Sequence, residues 1–112
     1  MTETSRFVQP APIRSGENVP KMFRKWAAKH GHNDAAILSF ERDAFGQEKY
    51  GQPLMSNDGR DTIKDIEDEV GDALHYITKA KMQGLTMDLY FIKEHLKVCI
   101  ELIDTPLPSD DA

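Results

Sequence analysis

Residues 59–80 read GRDTIKDIEDEVGDALHYITKA and predict one long helix with two different faces. Apolar side chains recur at helical spacing along one side, and the resulting stripe consists of Ile63, Ile66, Val70, Leu74 and Ile77. A stripe of this kind is stable only when another element covers it. We therefore expect the rest of the chain to pack on this helix and to complete it.

The other face of the same helix is acidic. It carries five carboxylates and one aromatic side chain, namely Asp61, Asp65, Asp68, Glu69, Asp72 and Tyr76. Like charges one turn apart destabilise a helix by roughly 0.2–0.5 kcal/mol per pair, so such a face is either left to water or binds a cation. Within it, Glu69-x-x-Asp72 places two carboxylates one turn apart, close enough to share one hard metal ion.

Length and charge narrow the classes of function. The chain has 112 residues, a formal net charge of −5 and one cysteine, Cys99. The length predicts a single domain, and the acidity argues against binding to duplex nucleic acid. A single cysteine permits no disulfide within the chain, which suits a reducing cytoplasm. No apolar run is long enough to cross a membrane and MTETSRFVQPAP lacks a signal-peptide pattern, so we expect a cytoplasmic protein without membrane contact.

The remaining segments predict further helices joined by irregular connections. Residues 1–19 hold prolines and a glycine without periodicity and are expected to form an extended or partly disordered arm. Helices are predicted from Pro20 to Gly31, over residues 33–50 with Asn33 as N-cap, and over about residues 86–103. Residues 105–112 are expected to form a flexible tail. Because no strand pattern is present, the predicted fold class is all-α, with residues 20–104 forming an antiparallel bundle of about four helices.

Two helices show features that a simple bundle does not explain. The last helix is apolar over more than half of its circumference, so one of its faces is expected to pack on a partner subunit. The helix over residues 33–50 has an expected core side formed by Ile37, Phe40, Ala44 and Phe45, and Glu41 and Glu48 fall on that side. A carboxylate within an apolar stripe is costly unless it has a partner, which a metal ion, an arginine or a lysine would supply.

The loop YGQPLMSNDGR, residues 50–60, has the composition of a binding loop. Its proline, glycines and Asn-Asp pair favour turns. Lys49 and Tyr50 lie at one end of it and Arg60 at the other, so it could clasp a nucleotide, with Tyr50 stacking and the two cations on phosphates. Asp61 follows as the expected N-cap of the long helix.

Carboxylates from two helices suggest a magnesium site. Mg²⁺ prefers oxygen ligands in octahedral geometry, and Glu69 and Asp72 together with Glu41 from the facing helix could hold it in the bundle core. Such an ion binds phosphate oxygens and activates a water for in-line attack. Asp65, Asp68 or Glu48 could orient that water or hold a second ion. The alternative is that the acidic face simply faces water.

Part of the chain resembles the MazG-like all-α nucleoside triphosphate pyrophosphohydrolases, in their short phage-type form. The similar motifs are ERDAFGQEKYGQPL, NDGRD and DEVGDALHYITKA, which fall within about residues 40–81. The family pattern is E-x-x-E on one helix and E-x-x-D on the next. Glu69-x-x-Asp72 matches the second half. The first half is matched only at Glu41, because position 44 is Ala44.

The resemblance implies hydrolysis of a nucleoside triphosphate, ribo or deoxyribo, between its α and β phosphates. It also implies Mg²⁺ as cofactor, with Mn²⁺ as an alternative, and a homodimer or homotetramer whose interface helps to form the pocket. Transferred by position, the catalytic residues and metal ligands would be Glu41, Glu69 and Asp72, with Glu48 or Asp65 compensating for Ala44. The residues that would contact substrate are Lys49, Tyr50 and Arg60, with Asp61, Asp68 and Tyr76 as lesser candidates.

Three functions remain open from the sequence. The first is a Mg²⁺-dependent nucleotide pyrophosphatase. The second is a relative that binds a nucleotide or a nucleotide signal without turnover, because Ala44 replaces a carboxylate. The third is an acidic helical interaction module whose last helix docks a partner. Metal dependence separates the first from the third, and turnover separates the first from the second.

Overall fold

The computed structural model describes residues 9–109, in which four α-helices form. They are α1 (Val19–His30), α2 (Asn33–Tyr50), α3 (Thr62–Met82) and α4 (Leu89–Asp104). No strand forms within this range, and one isolated antiparallel bridge joins Asn18 to Met55. The all-α class with four helices is therefore confirmed. Residues 1–8 of the predicted arm and residues 110–112 of the predicted tail lie outside the described part of the chain.

Local capping explains where most helices begin and end. The Oδ1 atoms of Asn18 and Asp61 accept hydrogen bonds from the backbone N–H groups of Lys21 and Lys64, which caps α1 and α3. Gly31 ends α1 in the left-handed conformation, with φ +75°, a geometry that glycine adopts without strain. Asn33 is not the N-cap of α2, because the helix already includes it and His32 occupies the cap position without a side-chain bond.

The small core lies where α1 packs against α2. Its buried apolar residues are Trp26, Ala27 and Ala35, and Trp26 is fully buried. The indole ring of Trp26 stacks on the imidazole rings of His30 and His32, with centroids 4.5 and 5.4 Å apart. The hairpin of α1 and α2 is thus organised around one tryptophan.

The end of α4 is fastened to this hairpin. Trp26 Nε1 donates to Thr105 Oγ1 at 3.0 Å, and His32 Nε2 lies 2.5 Å from Glu101 Oε2. His30 Nδ1 lies 3.4 Å from the other oxygen of Glu101. These polar contacts attach the C-terminal end of α4 to the residues around the α1–α2 turn.

The arm before α1 is hydrogen-bonded to the loop between α2 and α3. Backbone bonds join Ile13 N to Asp58 O, Asn57 N to Ser15 O and Ser56 N to Glu17 O, at 2.8–3.0 Å. The arm passes so close to the loop that a Cβ atom on Gly16 would lie 2.4 Å from Ser56 Oγ. Residues 9–18 therefore form part of the fold rather than a free extension.

Most of the apolar side chains of α3 and α4 are exposed within the protomer. Only α1 and α2 pack extensively among the described helices. Ile63 and Leu74 on α3 are each 64 % exposed, and Ile103 on α4 is 81 % exposed. The expected core side of α2 is exposed as well, so the assignment of Ile37, Phe40, Ala44 and Phe45 to a protomer core is wrong. The helices do not close into a bundle within one protomer, and the radius of gyration is 15.9 Å, against about 13 Å for a compact domain of 100 residues.

Candidate functional site

A cleft of about 600 Å³ lies between the C-terminal half of α2, the following loop and the first half of α3. It contains five residues that the sequence singled out: Tyr50, Arg60, Asp65, Asp68 and Glu69. The arm contributes Pro12 to its wall. The cleft therefore combines an aromatic ring, guanidinium groups and carboxylates, and it is our candidate site.

Arg60 and Asp65 form a closely bonded pair at the edge of the cleft. Arg60 Nε donates to Asp65 Oδ2 at 3.0 Å, and Arg60 Nη2 donates to Asp65 Oδ1 at 2.9 Å. These hydrogen bonds lower the pKa of Asp65 below its usual value and raise the pKa of Arg60. A two-pronged pair of this kind fixes the guanidinium plane of Arg60.

The arm holds this pair in place. Arg60 Nη1 donates to Pro10 O at 2.8 Å, and Gln9 Nε2 donates to Asp65 Oδ1 at 3.0 Å. Gln9 Oε1 also accepts the backbone N–H of Asp61. The carboxylate of Asp61 accepts the backbone N–H of Lys64, so Asp61 caps the start of α3.

The two acidic residues deeper along α3 differ in their bonding. Asp68 Oδ1 accepts from Lys64 Nζ at 2.6 Å, one turn away on the same helix. Glu69 is exposed and makes no ion pair or hydrogen bond with the side chains of the described residues. Among the cleft carboxylates of α3, Glu69 is thus the one available to a ligand.

Several cleft residues were missed by the sequence reasoning, and Arg42 and Asp58 are two charged ones among them. Arg42 lines the cleft and lies over the Phe45 ring, with its Cζ atom 4.6 Å from the centroid. Its spacing from Gly46 and Tyr50, four and eight residues on, places all three on one side of α2, and that pattern could have identified it. Asp58 is buried in the loop, where its Oδ1 accepts the Arg60 N–H at 3.1 Å. Asp58 can be recognised as a cleft residue only from its neighbours in the folded chain, so no sequence signal could have found it.

The other predicted site residues lie outside the cleft lining. Lys49 is next to it, with Nζ 5.2 Å from the centroid of the Tyr50 ring. Tyr76 is exposed on α3, about two turns beyond Glu69, the last acidic residue of the cleft. The predicted metal ligands Glu41, Glu48 and Asp72 are exposed, and of the predicted four only Glu69 lines the cleft.

The described residues do not assemble a metal shell within one protomer. No group of three or more His, Cys, Asp or Glu side chains between residues 9 and 109 has a geometry that could hold a metal ion. Asp65 and Asp68 are engaged by Arg60 and Lys64, and Glu41 does not line the cleft that contains Glu69. One protomer therefore does not fit Mg²⁺ at this position, and the predicted magnesium dependence stays a prediction.

A second hollow, of about 680 Å³, lies between the start of α2 and the middle of α4. His32, Glu94 and Glu101 are among its lining residues. No residue that the sequence proposed for a site lies there. Its Glu101 already bonds His32, so this hollow belongs to the fastening of α4.

Comparisons with known proteins found no relative of this chain. The chain matches no known protein family, no curated protein and no solved structure at a significant level. No helix among the described residues is long and apolar enough to cross a membrane.

Proposed function

We propose that this chain is a nucleoside triphosphate pyrophosphohydrolase that binds its substrate in the cleft between α2 and α3. The observation that carries the proposal is the presence of Tyr50, two arginines and an available carboxylate, Glu69, in that one cleft. The resemblance over residues 40–81 supplies the reaction class, which is cleavage between the α and β phosphates to a monophosphate and pyrophosphate.

The cationic side chains suit the phosphate groups. Arg42 and Arg60 both line the cleft, and guanidinium groups bind phosphate oxygens through paired hydrogen bonds. Arg60 is already bonded to Asp65 and Pro10, so Arg42 is the arginine that would supply such a pair. Tyr50 is 56 % exposed, which leaves its ring free to stack on a base or sugar. Lys49 beside Tyr50 adds a further positive charge at the mouth of the cleft.

Glu69 is the proposed catalytic carboxylate. In hydrolysis a water oxygen bonds to phosphorus, the bond to the pyrophosphate leaving group breaks, and the water loses a proton. Glu69 would orient that water and accept the proton, because Arg60 and Lys64 already engage the neighbouring carboxylates Asp65 and Asp68. The leaving pyrophosphate would keep its charge balanced by the arginines of the cleft.

The cofactor and the assembly belong to the same proposal. Mg²⁺, or Mn²⁺ in its place, is the cofactor implied by the resemblance, and its donor set is incomplete in one protomer. We therefore place activity in a homodimer or homotetramer, in which carboxylates of a second copy complete the set. A cytoplasmic nucleotide pool is the expected source of substrate.

Nucleotide binding without turnover is the second candidate. It is favoured by Ala44, which stands where the resemblance expects a carboxylate, and by the engagement of Asp65 with Arg60. Such a protein would keep the phosphate and base contacts of the cleft and lack hydrolysis.

Release of pyrophosphate and orthophosphate from a panel of ribo- and deoxyribonucleoside triphosphates, with Mg²⁺ and with EDTA, tests the proposal. We expect Mg²⁺-dependent release of pyrophosphate and its loss in Glu69→Gln. Glu67→Gln is the matched control, because Glu67 is exposed on α3 and does not line the cleft. Nucleotide binding without pyrophosphate release would support the second candidate. If the folded protein neither binds nor hydrolyses a nucleotide, the third function, an acidic helical interaction module, would be the one that remains.

A further inference from the structure

Four of the five residues in the apolar stripe of α3 are exposed, and the fifth, Ile77, is half-buried. Ile66 and Val70 at its centre are each more than half exposed, and Ile63 and Leu74 more so. The stripe lies within an arc of about 80° and extends over most of a helix about 31 Å long. Apolar surface of this extent on a soluble chain marks an interaction site.

We propose that a second copy of this chain covers the stripe, with its own α3 packed antiparallel across a two-fold axis near Val70. The order of the five apolar residues carries this inference. Their spacing along the chain is three, four, four and three residues, which reads the same in both directions from Val70. A two-fold interface requires such a self-complementary patch.

In the antiparallel arrangement every residue of the stripe meets an apolar residue. Ile63 faces Ile77 of the partner subunit, and Ile66 faces Leu74 of the partner subunit. Val70 meets its own copy at the axis. No polar group is trapped at these five positions, so the seam is continuous from end to end.

Charge selects the antiparallel over the parallel orientation. Residues 61–69 contain five carboxylates and one lysine, Lys64, whereas residues 71–81 contain one carboxylate, Asp72, and two lysines, Lys79 and Lys81. Parallel pairing would place the acidic halves of both helices side by side. Antiparallel pairing places each acidic half beside the more basic half of the other copy, which lowers the repulsion.

The protomer itself needs this cover. Its buried apolar residues are Trp26, Ala27 and Ala35, which is a small core for a chain of this length. The α4 helix is also exposed, but its C-terminal end is fastened to the α1–α2 turn through Glu101 and Thr105. The middle of α3 has no such attachment, and its exposed stripe is therefore open to a second copy. The inference does not depend on nucleotide hydrolysis.

Cysteine cross-linking tests the orientation. In a Cys99→Ser background, Ile63→Cys and Ile77→Cys chains are prepared separately and also refolded together, then oxidised mildly. Facing Cα atoms of two packed helices lie about 4–6 Å apart, within the range of a disulfide. We expect a cross-linked dimer from the mixture and none from Ile63→Cys alone. Cross-linking of Ile63→Cys with itself, and none in the mixture, would overturn the antiparallel arrangement.

Light scattering tests the association. The expected mass is about 25 kDa, or a whole multiple of it, from a chain of 12.7 kDa. Val70→Asp should reduce it to that of the single chain, whereas His75→Asp, on the opposite side of α3, should not. A folded wild-type chain of 12.7 kDa at 100 μM would refute the proposal. A dimer that forms neither cross-link would assign the interface to another surface, with α4 as the next to examine.

Discussion

Arg60 and Asp65 join the loop after α2 to the first turn of α3 through two parallel hydrogen bonds of 3.0 and 2.9 Å. The arm adds Pro10 O and Gln9 Nε2 to the same pair. Three separate segments of the chain therefore meet at one ion pair. Because the pair also lines the candidate cleft, its stability and the shape of the site are linked.

Asp65→Asn should lower the free energy of unfolding by about 0.5–1 kcal/mol at neutral pH, since the pair is partly exposed and screened by solvent. The pKa of Asp65 is lower in the folded chain than in the unfolded chain. Its stabilising contribution is therefore fully present above the unfolded pKa of about 3.9 and is lost as the pH falls through the lower folded value. Urea denaturation of both proteins between pH 7 and pH 3 measures the difference.

Asp68→Asn is the matched control for that experiment. Asp68 pairs with Lys64 one turn away on an exposed helix face, so the cost should be about 0.3–0.5 kcal/mol. A difference between wild type and Asp65→Asn that stays constant down to pH 3 would show that Arg60 does not stabilise the ionised carboxylate.

The helices were predictable because their signals are local. Asn18 and Asp61 are good caps at positions where the apolar periodicity begins, and Gly31 stops α1 by its left-handed conformation. The α2 bounds of residues 33–50 agree as well, because Gly51 ends that helix in the left-handed conformation, although the predicted cap Asn33 lies inside the helix. The last helix begins at Leu89, three residues later than predicted, because residues 86–88 form a turn.

Periodicity could not predict which element packs on each apolar helix face. Periodicity identifies the apolar side of α2, including Ile37 and Phe40, but it does not say which element packs there, and within the protomer none does. The contacts of the arm are backbone bonds between irregular segments, such as Ile13 N to Asp58 O, and they leave no periodic trace. The role of Gln9 rests on its side-chain bonds to Asp65 and Asp61, which also join residues far apart in the sequence.

Gly16→Ala should destabilise the chain by about 1–3 kcal/mol. Gly16 has φ +92°, and a Cβ atom there would lie 2.4 Å from Ser56 Oγ and 2.8 Å from Asn57 N. Gly46→Ala is the control, because a Cβ atom there meets nothing within 4 Å and Gly46 lies inside α2; it should stabilise by about 0.5–1 kcal/mol. Thermal unfolding followed by circular dichroism measures both. Equal effects of the two changes would mean that the arm does not press on the loop.

Thr105→Val should cost about 1–3 kcal/mol, because it leaves the Nε1–H of the fully buried Trp26 without its acceptor. Thr78→Val makes the same chemical change on an exposed face of α3, where the hydroxyl donates only to Leu74 O, so its effect should be small. Urea unfolding followed by Trp26 fluorescence reports on both variants. A native emission spectrum and unchanged stability in Thr105→Val would remove this bond from the fastening of α4.

Arg42→Gln should weaken nucleoside triphosphate binding by about tenfold, the equivalent of 1.4 kcal/mol, because it removes a guanidinium from the cleft wall. Arg14→Gln is the matched control, since Arg14 is exposed on the arm and does not line the cleft. Titration calorimetry in EDTA and in Mg²⁺ measures the affinity without requiring turnover. Because Arg42 lies on α2 and packs over Phe45, its loss changes the charge of the cleft and leaves the Arg60–Asp65 pair intact. Equal affinities of the two variants would exclude Arg42 from phosphate binding and move the phosphate contacts to Arg60 and Lys49.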